Sequence, residues 1–146
     1  MSSTKVDNAW PALSRVGLAA GASRDRLRFV AEVEGAVAGA DFIQESAPEN
    51  EDLKRRLLAR IDHATPPNVI VASSSSGLLP SRIQADCRHP ERVVIGHPFN
   101  PVYLLPLDET VPGEKTSPAA MDRAGKYYES IGMHVLRLRK EIDGYI

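Results

Sequence analysis

The sequence of 146 residues lacks several features that mark other classes of protein. Its single cysteine, Cys87, excludes an intramolecular disulfide and favours a reducing compartment. No apolar run approaches the roughly 18 residues needed to cross a bilayer, and the N-terminus lacks the apolar segment of a secretion signal. The 18 Lys and Arg nearly balance the 19 Asp and Glu, so there is no global attraction to nucleic acid or acidic lipid. These absences predict a cytoplasmic protein with neither a nucleic-acid nor a membrane partner.

Short apolar runs alternate with amphipathic stretches, which is typical of strands joined by helices. The predicted strands are residues 27–30, 41–45, 68–72, 92–96 and 135–138, with an extended segment at 104–111. The predicted helices are residues 6–18, 32–37, 50–63, 78–85 and 118–130. The first helix is expected to place Ala9, Leu13, Val16 and Ala20 on one face. The last helix is expected to do the same with Met121, Ala124, Tyr128 and Ile131. This alternation predicts one α/β domain with a mostly parallel sheet.

The densest group of chemically competent residues is Gly96-His97-Pro98-Phe99-Asn100-Pro101. It follows a predicted buried strand, and open α/β sheets bind ligands beyond the carboxyl ends of their strands. A histidine there suits proton transfer near neutral pH, and Glu109 or Asp108 could return to orient its ring. The alternative is a structural histidine that is hydrogen-bonded within a loop.

A serine run, residues 73–76, followed by Gly77, ends the preceding predicted strand at the same edge. These hydroxyls could hold a substrate oxygen or a cofactor ribose, or they could simply form a turn and a helix N-cap. Glu49 and Lys54 face that edge from an earlier strand end and could contact a sugar and a phosphate or amide. Their alternative is a capped helix start with acidic residues in its first turn.

The remaining histidines and the cysteine give weaker indications of a functional site. The remaining histidines, at positions 63, 89 and 134, do not cluster with His97 as metal ligands would, and Cys87 has no neighbouring base. The sequence contains neither a G-x-G-x-x-G turn nor a Walker loop. We therefore expect no metal site.

Two runs, from Ser73 to Leu79 and from Val94 to Val102, resemble the NAD-binding domain of the 3-hydroxyacyl-CoA dehydrogenase family. Members carry a serine-rich strand end, an H-x-F-N-P signature and a glutamate twelve residues after the histidine, which is Glu109 here. The motif is more similar still to the L-carnitine dehydrogenase branch, which acts on a free hydroxy acid. The resemblance implies a partial Rossmann-like, doubly wound, mostly parallel sheet, with NAD as the cofactor.

The resemblance also implies roles for individual residues. His97 would be the general base that takes the proton of the 3-hydroxyl, and Glu109 its orienting partner. Ser76 would hydrogen-bond the substrate hydroxyl, and Asn100 would bind substrate or nicotinamide. The resemblance also implies that both residues contact the cofactor. The two remaining positions that match cofactor contacts are Glu49 and Lys54.

The chain departs from the family at both ends. The first strand, the glycine-rich turn and the ribose-binding acid have no counterpart, and residues 143–146 resemble the hinge before a helical C-terminal domain. We therefore expect residues 1–146 to be an NAD-binding domain without its first βαβ unit and without that C-terminal domain, through which the full-length family forms homo-oligomers. The expected reaction is oxidation of L-carnitine to 3-dehydrocarnitine. The alternatives are a dehydrogenase of 3-hydroxyacyl-CoA and a catalytically silent remnant.

Overall fold

The computed structural model describes residues 3–144; Tyr145 and Ile146 of the hinge-like segment lie outside this part. The helices are α1 (Ser3–Val16), α2 (Val33–Val37), α3 (Glu51–Ala64), α4 (Pro80–Ile83) and α5 (Pro118–Ser130), with 3-10 turns at Arg24–Arg26 and Pro90–Arg92. The strands are β1 (Phe42–Glu45), β2 (Ile70–Ser73), β3 (Val93–Pro98), β4 (Leu107–Pro112) and β5 (His134–Arg137). Within the described residues, no helix is both long and apolar enough to cross a membrane.

The five strands form one sheet in chain order. The pairs β1–β2, β2–β3 and β4–β5 are parallel, whereas β3 and β4 are antiparallel. The continuous apolar runs at β2 and β3 are buried on both faces, as expected of central parallel strands. The predicted α/β fold with a mostly parallel sheet is confirmed.

Helices cover both faces of the sheet, which makes the fold doubly wound. On one face α2, α3 and α4 pack against a core that includes Val71, Ile95 and Val111. On the other face α5 packs on Ile70 and Val94. The predicted caps are present: the side chains of Asn50 and Ser117 accept hydrogen bonds from main-chain amides in the first turns of α3 and α5.

A buried ion pair fastens the end of the sheet that lies away from the serine run. The Arg92 Nη2 atom lies 2.6 Å from Asp62 Oδ1, and both side chains are buried. Arg92 also donates to main-chain carbonyls that include Val69 O, and Asp62 accepts from the amides of Arg88 and His89. Since both charges are saturated with hydrogen bonds, this pair joins α3 to the start of β3 without an orphaned charge.

Several sequence predictions are wrong in detail. Residues 27–30 form no strand; they pair with no other strand and all are exposed, Phe29 by 64%. Helix α1 ends at Val16, which is 69% exposed, because Gly17 adopts a φ of 113°, so Val16 and Ala20 do not join the predicted apolar face.

Three further predictions fail at the ends of elements. Residues 104 and 105 lie in a turn that precedes β4. The predicted helix at 78–85 is reduced to the four residues of α4. Ile131 lies beyond the end of α5 and is exposed, so it does not extend that helix's buried face.

Candidate active site

The imidazole of His97 and the carboxylate of Glu109 are brought together by the register of β3 and β4. The two residues are direct partners in the antiparallel ladder, so their side chains stand on the same face of the sheet. His97 Nδ1 lies 2.9 Å from Glu109 Oε2. The Glu109 side chain is fully buried, whereas that of His97 is 18% exposed. The arrangement is a buried carboxylate that orients a solvent-accessible imidazole.

Asp108, the other candidate partner of His97, faces the opposite side of the sheet. Successive strand residues alternate between faces, and Asp108 Oδ2 accepts a hydrogen bond of 2.9 Å from Thr110. Its Oδ1 has no hydrogen-bond partner within the described residues. Burial raises the pKa of Asp108 from 3.8 to about 6, and the nearby Glu109 carboxylate adds to the rise. Asp108 is thus a buried carboxyl that forms no ion pair among the described residues, and the Thr110 hydrogen bond and the His97 charge only partly offset the rise in its pKa.

Gly96 lets α5 approach the strand that carries His97. A Cβ atom at this position would overlap the Tyr128 hydroxyl. That hydroxyl donates a 2.5 Å hydrogen bond to Gln44 Oε1, and Gln44 Nε2 donates to the Gly96 carbonyl at 3.1 Å. Burial raises the pKa of Tyr128, so the hydroxyl keeps its proton and remains a donor. These contacts tie β1, β3 and α5 together directly before His97. The sequence analysis placed Tyr128 in the core and missed Gln44, for which no local signal exists.

The serine run forms a turn whose amides and hydroxyl converge on Glu49. Glu49 Oε1 accepts from Ser76 N at 3.0 Å, from Gly77 N at 3.2 Å and from the Ser75 hydroxyl. Ser75 Oγ also accepts from Leu78 N at 3.2 Å, as the turn alternative predicts, but no serine caps the following helix, because the N-cap of α4 is Leu79. Burial raises the pKa of Glu49, but hydrogen bonds from Ser75 and from the turn amides, together with Lys54, outweigh it, and the pKa lies below 4.5. Ser76 itself is exposed at the sheet edge.

Lys54 is fully buried behind Glu49. Its Nζ donates at 3.0 Å to both carboxylate oxygens of Glu45 and to the Ala47 carbonyl, and lies 3.8 Å from Glu49 Oε2. Three donor hydrogens are thereby directed to protein atoms, so cofactor contact by Lys54 remains a prediction. Glu45 was missed by the sequence analysis; the available signal was an acidic residue at the end of an apolar strand, nine positions before a lysine.

The loop after His97 carries Asn100 and an apolar cavity. Asn100 is exposed and precedes a cis peptide bond to Pro101. The rings of His97 and Phe99 are 5.6 Å apart between centroids. Phe99 also lines a cavity of about 360 Å³ with Leu105, Pro106, Leu107 and His134. Phe99 therefore contributes both to the surroundings of the imidazole and to the wall of this apolar cavity.

Five of the six predicted site residues lie in two contact groups within the described residues, and Asn100 lies apart from both. His97 contacts Glu109, and Lys54 and Glu49 are close enough for an ion pair. The Ser76 amide belongs to the second group because it donates to Glu49. The Ser76 hydroxyl is positioned only by the serine turn, and Asn100 only by the loop after His97. The register Ser73↔Ile95 puts the serine turn and His97 beyond the same edge of the sheet.

Comparison with known proteins gives a consistent assignment. The family model described as 3-hydroxyacyl-CoA dehydrogenase, NAD binding domain, matches residues 11–142. The chain is 58% identical over 142 residues to L-carnitine dehydrogenase of Pseudomonas aeruginosa, covering 97% of this chain and 44% of the relative. It is 53% identical over 141 residues to L-carnitine dehydrogenase of Bacillus cereus, covering 97% of this chain and 43% of the relative. The chain thus spans less than half the length of these curated relatives.

Solved structures agree on the fold. The NAD+-dependent dismutase 5-formyl-3-hydroxy-2-methylpyridine 4-carboxylic acid 5-dehydrogenase superposes with a TM-score of 0.89 at 32% identity, covering 98% of this chain and 47% of that one. The 3-hydroxybutyryl-CoA dehydrogenase of Escherichia coli K12 gives a TM-score of 0.79 at 25% identity, covering 92% of this chain and 30% of that one. The predicted resemblance is confirmed. The chain belongs to the 3-hydroxyacyl-CoA dehydrogenase family, and the match lies in the domain of that family that binds NAD.

Proposed function

We propose that this chain carries the general base of an NAD-dependent dehydrogenase that oxidises the 3-hydroxyl of L-carnitine to a ketone, 3-dehydrocarnitine. The observation that carries the proposal is the 2.9 Å contact between His97 Nδ1 and the fully buried Glu109 carboxylate. Residues 1–146 then form part of the NAD-binding domain of this enzyme. A cytosolic location and a homo-oligomeric full-length enzyme stay predictions.

The contact with Glu109 decides which nitrogen of His97 moves a proton. A carboxylate beside Nδ1 favours the tautomer with its proton on Nδ1, so the lone pair lies on Nε2. Nε2 then accepts the proton of the substrate hydroxyl, and the carboxylate stabilises the imidazolium that results. Because Glu109 is placed by the β-ladder, the imidazole keeps this orientation before substrate arrives.

The residues at the sheet edge fit the nicotinamide half of NAD. Uncharged polar groups lie at this edge, namely the hydroxyls of Ser46, Ser74 and Ser76 and the amide of Asn100. Such groups suit the ribose hydroxyls and the carboxamide of NAD, whereas its charged pyrophosphate requires a different set of hydrogen-bond donors. Ser74 Oγ already donates to Ser46 Oγ at 3.1 Å, which places two of these hydroxyls side by side. Bound NAD would accept the hydride that leaves C3 of the substrate. Ser76 would hold the reacting hydroxyl, while Glu49 fixes the turn that carries Ser76.

L-carnitine is favoured over a CoA thioester by the relatives. L-carnitine dehydrogenases are up to 58% identical to this chain, whereas the E. coli 3-hydroxybutyryl-CoA dehydrogenase is 25% identical. A quaternary ammonium group is stabilised by the face of an aromatic ring. Tyr103, which is 39% exposed in the loop after His97, is positioned to offer such a face.

The test is formation of NADH by the purified chain with L-carnitine and, in parallel, with 3-hydroxybutyryl-CoA. His97→Ala is expected to abolish turnover, and His89→Ala is the matched control because it disrupts an exposed His–Glu pair, His89 Nδ1 to Glu91 at 3.2 Å. Turnover of the thioester alone would select the alternative dehydrogenase. Absence of both turnover and saturable NADH binding in a folded chain would select the silent remnant.

A further inference from the structure

We propose that Glu45 is a positioning residue: it neutralises the buried ammonium of Lys54 so that Glu49 can hold the serine turn. The inference rests on the proposed function, since it assigns a purpose to the turn that presents Ser76. It departs from the expectation that Lys54 serves the cofactor directly. In this arrangement Lys54 acts through its two carboxylate neighbours.

The carboxylates of Glu45 and Glu49 differ in their distance from the Lys54 ammonium and in their exposure to solvent. Both oxygens of Glu45 lie 3.0 Å from Lys54 Nζ, whereas the nearer oxygen of Glu49 lies 3.8 Å away. The side chains of Glu45 and Lys54 are 1% exposed each, and that of Glu49 is 41% exposed. Glu45 is therefore the principal counterion, and Glu49 stands between the ion pair and solvent.

Glu45 and Glu49 each also bind the serine run, at different depths. Glu45 Oε2 accepts a 2.5 Å hydrogen bond from Ser73, at the end of β2. Glu49 Oε1 accepts from the Ser75 hydroxyl and from the amides of Ser76 and Gly77, farther along the turn. Glu45 thus binds the start of the serine run, and Glu49 binds the residues that follow in the turn.

A buried ammonium without its counterion attracts whichever carboxylate can reach it, because an unpaired charge in the interior is costly. Glu49 is the carboxylate within reach among the described contacts of Lys54. If Glu45 loses its charge, Glu49 is drawn towards Lys54 and away from the turn amides. The turn then loses three hydrogen bonds and the exposed Ser76 loses its fixed position.

The direct test is nuclear magnetic resonance of the Ser76 and Gly77 amide protons during an acid titration. In the wild type both resonances shift as Glu49 takes up a proton, because its carboxylate accepts from these amides. Glu45→Gln is expected to abolish both shifts. Adding Lys54→Met to Glu45→Gln removes the ammonium that attracts Glu49, and is expected to restore them.

Because Lys54→Met also removes the cost of an unpaired buried charge, the shifts are compared only among variants whose other amide resonances show an intact fold, and this check separates positioning from a general loss of stability. Glu34→Gln, which disrupts an exposed pair with Arg60, is the control and should leave both shifts in place. Persistence of the shifts in Glu45→Gln, or failure of Lys54→Met to restore them, would overturn the inference.

A kinetic experiment links the network to turnover. Glu45→Gln is expected to lower kcat about tenfold in the wild-type background and to add nothing to Ser76→Ala, because both changes remove the same contact. Additive effects of the two substitutions would contradict the inference. Complete absence of wild-type turnover would refute the proposed function instead, and the titration would still decide the role of Glu45.

Discussion

His97 and Glu109 are cross-strand partners, and their side chains meet at 2.9 Å on the face of the sheet opposite α5. Their separation of twelve positions is the length of one hairpin, so the contact follows from strand register. A slip of one residue would turn Glu109 to the other face and bring Asp108 or Thr110 to the imidazole. An imidazole held in this way is oriented by the main-chain pairing of β3 and β4.

Replacing Glu109 by glutamine tests this orientation. Glutamine keeps the shape of the side chain, but its amide can donate to Nδ1 and thereby favours the wrong tautomer of His97. We expect kcat with L-carnitine to fall by about 10²-fold or more. Glu91→Gln, at the exposed His89 pair, is the matched control. An undiminished kcat in a folded Glu109→Gln chain would mean that Glu109 does not orient the base.

Replacing Tyr103 by alanine tests the recognition of the trimethylammonium group. Loss of the aromatic face should weaken binding of L-carnitine by about tenfold. The KM for NAD should remain within about twofold, since the ring is assigned to substrate only. Steady-state kinetics with each reactant varied in turn provides both values. Equal increases in the two KM values would show that Tyr103 supports the loop as a whole and not the substrate.

Replacing Asp108 by asparagine tests a pH dependence of stability. The pKa of Asp108 is raised by burial from 3.8 to about 6 in the fold, so the folded chain binds a proton more tightly than the unfolded chain between these values. Stability is therefore lost as the pH rises through about 4 to 6. The neutral asparagine avoids this loss, and we expect it to add about 2–3 kcal/mol to the free energy of unfolding at pH 8 and nearly nothing at pH 4.

Urea denaturation at the two pH values measures this difference. Asp122→Asn is the control, because that side chain is 64% exposed and is expected to change stability by less than about 1 kcal/mol at either pH. A gain from Asp108→Asn that is the same at pH 4 and pH 8 would show that Asp108 does not change its charge across this range.

Replacing Gly96 by alanine tests the close approach of α5 to β3. The added Cβ would overlap the Tyr128 ring, and we expect a loss of about 2–3 kcal/mol in the free energy of unfolding. Gly77→Ala is the matched control, since a Cβ there meets no atom within 4 Å. Thermal or urea unfolding compares the two variants. Equal stability of both would show that Tyr128 does not pack on Gly96.

The sequence was sufficient to predict the central sheet and the residues of the imidazole–carboxylate pair. The apolar runs at β2 and β3 match buried parallel strands, and capping residues such as Asn50 mark helix starts, because these signals are local. The contact between His97 and Glu109 could be predicted because residues a short distance apart in the sequence can become cross-strand partners in a hairpin. The residues alone left Glu109 and Asp108 open, the family resemblance selected Glu109, and the register explains why Asp108 faces the other side of the sheet.

The failures arise where a distant partner decides the outcome. Residues 27–30 alternate as a strand does, but a strand needs a neighbour to complete its hydrogen bonds, and they have none among the described residues. Lys54 was predicted to contact a phosphate or an amide, yet its buried ammonium donates to Glu45 and to the Ala47 carbonyl. Gln44 is placed by hydrogen bonds with Gly96 and Tyr128, which lie 52 and 84 residues away.

His97 is proposed to take the proton of the substrate hydroxyl, and the rate of NADH formation in a single turnover tests this role. The experiment compares wild type with His97→Asn, and NADH binding is measured by nicotinamide fluorescence on the same preparations. Our expectation is a rate lower by about 10²–10⁴-fold with unchanged NADH binding. A His97→Asn chain that forms NADH at the wild-type rate would contradict it.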